Sequence, residues 1–167
     1  EIKKQAGELY KAGNFKAAID PYLKLVNYDP GDLDFNYRLG MCYLNSNSDK
    51  SQAIQYFVKA ADKKEAPKDV YYQMGRALLV AGLFDEAIEA FEKYKEVNKG
   101  QVNAKFNLEQ HVEYCYNAKE YTKKPLEVKF INPGKPVNSV KADYAPVSMA
   151  VDTILFFTSN RQGNMGG

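Results

Sequence analysis

The sequence predicts a mainly α-helical solenoid of stacked helix pairs followed by a short β segment. Three observations predict it. Ala18, Ala53 and Ala87 recur at intervals of 35 and 34 residues, and self-similarity near 34 residues is a signature of repeated two-helix units. Small residues alternate with large ones at matching places in every interval. After Pro125 the helical pattern gives way to short runs of β-forming residues.

Three repeats align. The first runs from Ile2 to Pro30 with Ala6, Leu9, Gly13, Phe15, Ala18 and Tyr22. Asp34 to Glu65 forms the second, with Leu39, Gly40, Tyr43, Ala53, Phe57 and Ala60. The third spans Asp69 to Lys99 with Met74, Gly75, Leu78, Gly82, Phe84, Ala87 and Phe91. Ala6, Gly40 and Gly75 on the first helices, and the three alanines on the second, sit where helix axes come closest; Tyr22, Phe57 and Phe91 fill the space beside them. Gly13-Asn14-Phe15 and Gly82-Leu83-Phe84 read as turns between helices, since glycine supplies the positive φ that ends a helix and the aromatic re-enters the core. The second repeat carries one extra residue in this turn, around Asn45-Ser46-Asn47-Ser48. Pro30 marks the end of the first repeat. A further helix from about Val102 to Glu120 keeps Phe106, Leu108, Val112, Cys115 and Tyr116 at helical spacing. It reads as a capping half-repeat, with Asn117-Ala118-Lys119-Glu120-Tyr121 as another turn, until Lys123-Lys124-Pro125 breaks the pattern. The solenoid is thus expected over 1–122 and a linker with β structure over 123–167. In the latter, Leu126, Val128, Phe130 and Ile131 suggest a strand, Asn132-Pro133-Gly134 a turn, and Ile154 to Thr158 a second strand.

Composition narrows the function. Hydrophobic residues make up 45% of 167, and the formal net charge is +2 with both signs interspersed. That balance gives no electrostatic ground for a nucleic-acid partner, and no apolar run approaches the ~20 residues of a membrane span. Glu1 follows no start methionine or secretory leader, and Gly163-Asn164-Met165-Gly166-Gly167 reads as a turn inside a domain, so a longer parent chain is expected. Cys42 and Cys115 lie with a whole repeat between them. Packed helices stand about 8–10 Å apart, and a disulfide needs Cα atoms within about 7 Å, so two free, buried thiols are expected. His111 reads as a polar residue of the capping helix, because a catalytic base needs an oriented partner. Zinc sites want four clustered ligands, and only His111 and Cys115 share a helix. Asp85, Glu86, Glu89 and Glu92 read as a solvated face, with Glu89–Lys93 an ordinary helix pair worth about 0.2–0.5 kcal/mol. The glycines after Arg161 lack the lysine and helix of a phosphate loop. No catalytic residue, cofactor or metal is expected.

The repeats quoted above resemble the tetratricopeptide repeat family. That resemblance implies an α-solenoid of three repeats plus a capping helix, with a concave groove lined by the first helix of each pair. At groove-facing positions it places Lys3, Tyr37, Met41, Asn45, Tyr72 and Arg76, of which tyrosine, methionine and arginine are residue types enriched in protein interfaces. A protein or peptide in that groove is the implied partner, laid in as an extended segment or a helix. Lys3 fits one position of the carboxylate clamp found in some members, whereas Tyr37, Met41, Tyr72 and Arg76 do not reproduce the set. The alternative is that these side chains pack within the repeats or are covered by the chain's own tail.

The tail carries a second resemblance. Val137-Asn138-Ser139, Asp143-Tyr144-Ala145-Pro146-Val147, and Leu155-Phe156-Phe157-Thr158-Ser159-Asn160-Arg161 with Gly163 look like the opening blade of TolB-like β-propellers, with Val151-Asp152-Thr153 replacing the usual Pro-Asp-Gly turn. Repeats running into such a blade resemble a group of Bacteroidetes outer-membrane lipoproteins that close with a peptidoglycan-binding OmpA-like domain, some of them in type IX secretion and gliding. The resemblance implies a periplasmic, outer-membrane-associated, non-catalytic scaffold. Its partners would be subunits of an envelope secretion complex, with peptidoglycan held through domains outside this sequence. Two other readings stand beside it: a generic peptide-binding adaptor, and an accessory domain of a larger enzyme.

Overall fold

The computed structural model describes residues 1–101, 103–148 and 154–163. Two compact units divide the chain, Glu1–Pro125 and Leu126–Gly167. The first holds α1 (Ile2–Lys11), α2 (Phe15–Tyr28), α3 (Leu33–Asn45), α4 (Ala53–Ala61), α5 (Val70–Val80), α6 (Phe84–Val97) and α7 (Leu108–Thr122). Short 3-10 turns at Lys50–Gln52 and Ala104–Phe106 precede α4 and α7. Helices pack as α1–α2, α3–α4 and α5–α6, and each pair lays its second helix on the first helix of the next. This is the predicted solenoid.

Its turns follow from a few residues. Gly13 and Gly82 adopt φ of +72° and +78°, a conformation a side chain would strain. The Asn14 side chain accepts a hydrogen bond from the Ala17 amide at 3.4 Å, and Phe15 meets Tyr10 edge-on at 5.5 Å. Asp32 caps α3 by accepting from the Phe35 amide at 2.8 Å, after Pro30 has closed the first pair. The second pair, lengthened by one residue, turns without glycine. Ser46 is extended there, and Asp49 accepts from the Ser51 amide at 3.0 Å to start the 3-10 turn.

Close approach explains the other glycines. A Cβ on Gly40 would lie 2.8 Å from Phe57 Cε1, and one on Gly75 2.6 Å from Phe91 Cε1. Both rings are fully buried, as are Ala6, Ala18, Ala53 and Ala87.

The capping helix departs from expectation. Asn107, at φ +46°, separates the 3-10 turn from α7, which therefore starts at Leu108; Val102 lies outside the described residues. α7 then runs unbroken through Asn117–Tyr121, which is not a turn. No glycine is present there to reverse the chain, and Ala118, Lys119 and Glu120 all favour helix. Lys119 pairs with Asp85 at the start of α6.

In the second unit, Leu126 to Ile131 form no strand. No described segment pairs with them, and Leu126 and Phe130 are almost fully exposed. Alternating apolar residues without a partner edge do not make a sheet. Gly134 donates its amide to Asn132 Oδ1 at 2.9 Å, which makes the expected turn. The sheet consists of β1 (Asp143–Ser148) and β2 (Leu155–Ser159), antiparallel, with Asp143 opposite Ser159 and Val147 opposite Phe156. The register shifts between Tyr144 and Val147, where Ala145 takes φ +54°. Arg161 ties the unit together. It donates to the carbonyls of Pro136 (2.8 Å) and Val137 (2.6 Å), to Ser159 Oγ (2.7 Å) and to Asp143 (3.0 Å), and lies over the Phe157 ring. Hydrogen bonds from Ser159 and from the Ser139 amide hold the Asp143 carboxyl well below the usual carboxylate range, and Arg161 adds to them. Val151-Asp152-Thr153 and Asn164 to Gly167 lie outside the described residues.

Replacing Gly75 by alanine forces a methyl group into the Phe91 ring. Overpacking of this kind costs about 1–3 kcal/mol, read as a lower urea midpoint at unchanged slope. Adding Phe91→Leu, which removes the ring atoms in the way, recovers part of that loss relative to Phe91→Leu alone.

Candidate protein-binding groove

The first helices of successive pairs touch, α3 against α5 and α5 against α7, so they share one face of the solenoid. Lys3 stands on α1, Tyr37, Met41 and Asn45 on α3, and Tyr72 and Arg76 on α5.

Lys3, Tyr37 and Tyr72 occupy equivalent positions, and each reaches into the next pair. The Lys3 ammonium lies 5.1 Å over the Phe35 ring. Tyr37 donates its hydroxyl to the Asp69 carboxylate, 2.9 and 3.0 Å from its two oxygens. Tyr72 donates to the Phe106 carbonyl, and the two rings stack at 4.3 Å and 8°. In each case a long side chain on one first helix meets the start of the next. Tyr72 is only 4% exposed, which corrects its assignment to an accessible groove: Phe106 covers it. Tyr37 is half-buried, and desolvation followed by the Asp69 charge drives its phenol pKa strongly upward.

Asp69 also accepts from Gln73 Nε2 at 3.0 Å, and Gln73 Oε1 accepts from Arg76 Nη1 at 2.8 Å. A polar relay thus runs Tyr37–Asp69–Gln73–Arg76 across α3 and α5, with Gln73 itself buried. It holds the Arg76 guanidinium, half-exposed, on the shared face. Met41, the equivalent of Arg76 on α3, is half-buried against the core. Lys3 and Asn45 are exposed, and Asn45 Nδ2 donates to its own Met41 carbonyl at 2.9 Å, satisfying the end of α3. Of the six predicted residues, the structure thus brings Met41 and Arg76 to matching places on touching helices. It makes Tyr37 and Tyr72 joints between pairs. Asp69 and Gln73 were missed; an aspartate at the start of a helix with a glutamine four residues on is the one sequence signal that pointed to them.

The other residues singled out by the sequence have structural roles. His111 packs edge-on against Tyr72 at 5.5 Å, with Nδ1 3.1 Å from the Asn107 carbonyl. Among the described residues no group of three or more His, Cys, Asp or Glu could hold a metal. Cys42 and Cys115 are free and buried, and burial pushes the Cys42 thiol up to about 12. Lys93 pairs with Glu96 at 2.8 Å, and not with Glu89, because the side chain one turn ahead lies within its reach.

The tetratricopeptide repeat profile matches residues 4–70 and 46–101. This chain belongs to the tetratricopeptide repeat family. It is similar to the BBSome complex member BBS4 of Bos taurus, 28% identical over 96 residues, a match covering 57% of this chain and 18% of that protein. The fold is similar to the first TPR domain of human RPAP3 (TM-score 0.58, 19% identity, 71% of this chain and 93% of that one). It is also similar to the type III secretion translocator chaperone SycD of Yersinia enterocolitica (0.58, 19%, 72% and 84%) and to the Sgt2 TPR domain of Aspergillus fumigatus (0.57, 16%, 81% and 90%). At these identities the structural likeness speaks for the fold. The chain spans less than a fifth of the length of its curated relative BBS4.

Partly desolvated phenols make this tetratricopeptide unit sensitive to alkali. Burial raises the Tyr10 pKa from 10.0 to about 12, and Tyr37 shifts the same way. The fold therefore favours the neutral phenols, and that stabilisation is complete below pH 10 and is lost as pH rises toward 12. Following phenolate absorbance and helical circular dichroism together should show both changing cooperatively above pH 10, and Tyr10→Phe should move the transition to higher pH.

Proposed function

We propose that this chain is a non-catalytic protein-binding scaffold whose partner lies along the face of the first helices. The observation that carries this reading is the placement of Met41 and Arg76 at equivalent positions of touching helices, each half-exposed, with Arg76 oriented by the buried Gln73. Methionine adapts its shape to an apolar partner, and a held guanidinium offers a directional fork to carboxylates or carbonyls. Membership of the tetratricopeptide family supports the same reading. No carboxylate clamp is invoked, because Tyr37, Met41, Tyr72 and Arg76 do not reproduce its residue set.

The setting we propose is the bacterial envelope. The scaffold is periplasmic and outer-membrane-associated, and it links a secretion complex, of the type IX class, to peptidoglycan through domains outside this sequence. Support comes from the tail, where Asp143, Phe157, Ser159 and Arg161 of the blade-like motif form one network.

The test is capture from envelope extracts by the immobilised chain, followed by binding of the purified partner to wild type and to Met41→Glu/Arg76→Glu, with circular dichroism confirming the fold. The variant should bind at least ~10-fold more weakly, a loss of about 1.4 kcal/mol. Equal binding would move the contact off this face. A partner found only in the cytoplasm would overturn the envelope setting while leaving the scaffold intact.

A further inference from the structure

A second surface lies at one edge of the solenoid, where the α4–α5 connection runs beside the α6–α7 connection. A cleft of about 880 Å³ opens between them, within the ~300–1,000 Å³ usual for binding sites. Lys63, Lys64 and Lys68 line it from one connection and Lys99 from the other. All four are exposed, and among the described residues none forms a salt bridge. Asp69 supplies the one carboxylate of the lining, and its oxygens already accept from Tyr37 and Gln73. Asp62 and Glu65 are exposed on the same connection but lie outside the lining, so the lining itself sets four lysines against one engaged aspartate.

The cleft is preformed. Asn98 Nδ2 donates to the Lys68 carbonyl at 2.9 Å and to the Tyr94 carbonyl at 2.9 Å, which ties one connection to the other. The Asn103 amide donates to the Tyr94 hydroxyl at 3.1 Å. Lys99 holds φ +51° beside Gly100 at +74°, a left-handed conformation that a lysine adopts only at a cost. Between the lysines the lining mixes apolar and polar side chains: Val97 is 48% exposed, Tyr71, Pro67 and Phe106 are half-buried, and Asn98, Gln101 and Asn103 stand beside them.

Lysines around a mixed lining that includes Val97 and Tyr71 fit one kind of occupant. We propose that this edge cleft binds an acidic, extended segment of a partner protein, with aspartates or glutamates facing the four lysines and an apolar side chain on Val97 and Tyr71. The surface is distinct from the first-helix face, so it stands whether or not that face binds. It lets one scaffold hold two segments at once, and Asp69 is shared by both: it anchors Tyr37 on one side and lines the cleft on the other.

Fluorescence anisotropy with a labelled peptide of alternating glutamate and leucine provides the test, beside a lysine–leucine peptide of equal length and a single-stranded oligonucleotide. The glutamate peptide should bind best. Lys64→Glu/Lys68→Glu should weaken it about ten-fold or more, whereas Lys16→Glu/Lys50→Glu on another surface should change it less than about two-fold. Equal loss from both lysine pairs would reduce the effect to diffuse charge and overturn the proposal, as would no preference over the lysine peptide. Tighter binding of the oligonucleotide through Lys64 and Lys68 would assign the cleft to nucleic acid instead.

Discussion

A helix pair of this solenoid cannot bury its apolar face alone, so the contacts that cross from one pair to the next decide whether the chain holds a single shape. Beside the packing of each second helix on the next first helix, one sequence position supplies a recurring contact of this kind. Lys3, Tyr37 and Tyr72 project from equivalent turns of α1, α3 and α5, and each ends on the beginning of the following first helix or its lead-in turn. The interactions differ in chemistry, from an ammonium over a ring to a phenol on a carboxylate to a phenol on a carbonyl, yet their geometry is shared. Within each pair the spacing is set separately, by Phe57 and Phe91 filling the space that a side chain on Gly40 or Gly75 would need. The glycine contact fixes how close two helices come, and the joint fixes how one pair sits on the next.

Function follows from what those joints leave over. Because Tyr37 and Tyr72 are engaged between pairs, Met41 and Arg76 are what the first-helix face leaves for the proposed partner, with Lys3 and Asn45 at its margins. Asp69 takes part in the joint, orients Gln73 and through it Arg76, and lies in the wall of the basic edge cleft. A change at Asp69 would therefore be felt in stability and at both proposed surfaces. Loops carried on a rigid framework are common places for binding, and the two connections that form the cleft are pinned to each other by Asn98.

Much of the helical unit was legible because its determinants are local. Alanines at a 34-residue period, glycine-aromatic turns and a proline behind a helix each act on their own few residues, and both cysteines fall at core positions of that pattern. The joints were less legible. Helical periodicity says which face a tyrosine occupies but not how far its hydroxyl reaches, and Phe106, which covers Tyr72, comes from a 3-10 turn with no repeat pattern of its own. The same limit misplaced two other segments. Asn117–Tyr121 resembled a turn by position in the repeat, but without glycine the helix continues. Leu126 to Ile131 alternate like a strand, but a strand exists only where another pairs with it. In the β unit the Asp143 and Arg161 motif was visible as letters, whereas its role as a hydrogen-bonded clamp needed the fold.

The joint between the second and third pairs is tested most directly by a double-mutant cycle. Tyr37→Phe removes the hydroxyl and keeps the ring on Phe57; Asp69→Asn removes the charge that accepts it. Urea unfolding of wild type, both single variants and the double variant gives their coupling. A hydrogen bond to a charged group contributes about 1.5–3 kcal/mol, so a coupling of about 1 kcal/mol or more is expected for this half-buried pair. Additivity within about 0.3 kcal/mol would contradict the account, because it would mean that the pairs are held together without the contact that crosses between them.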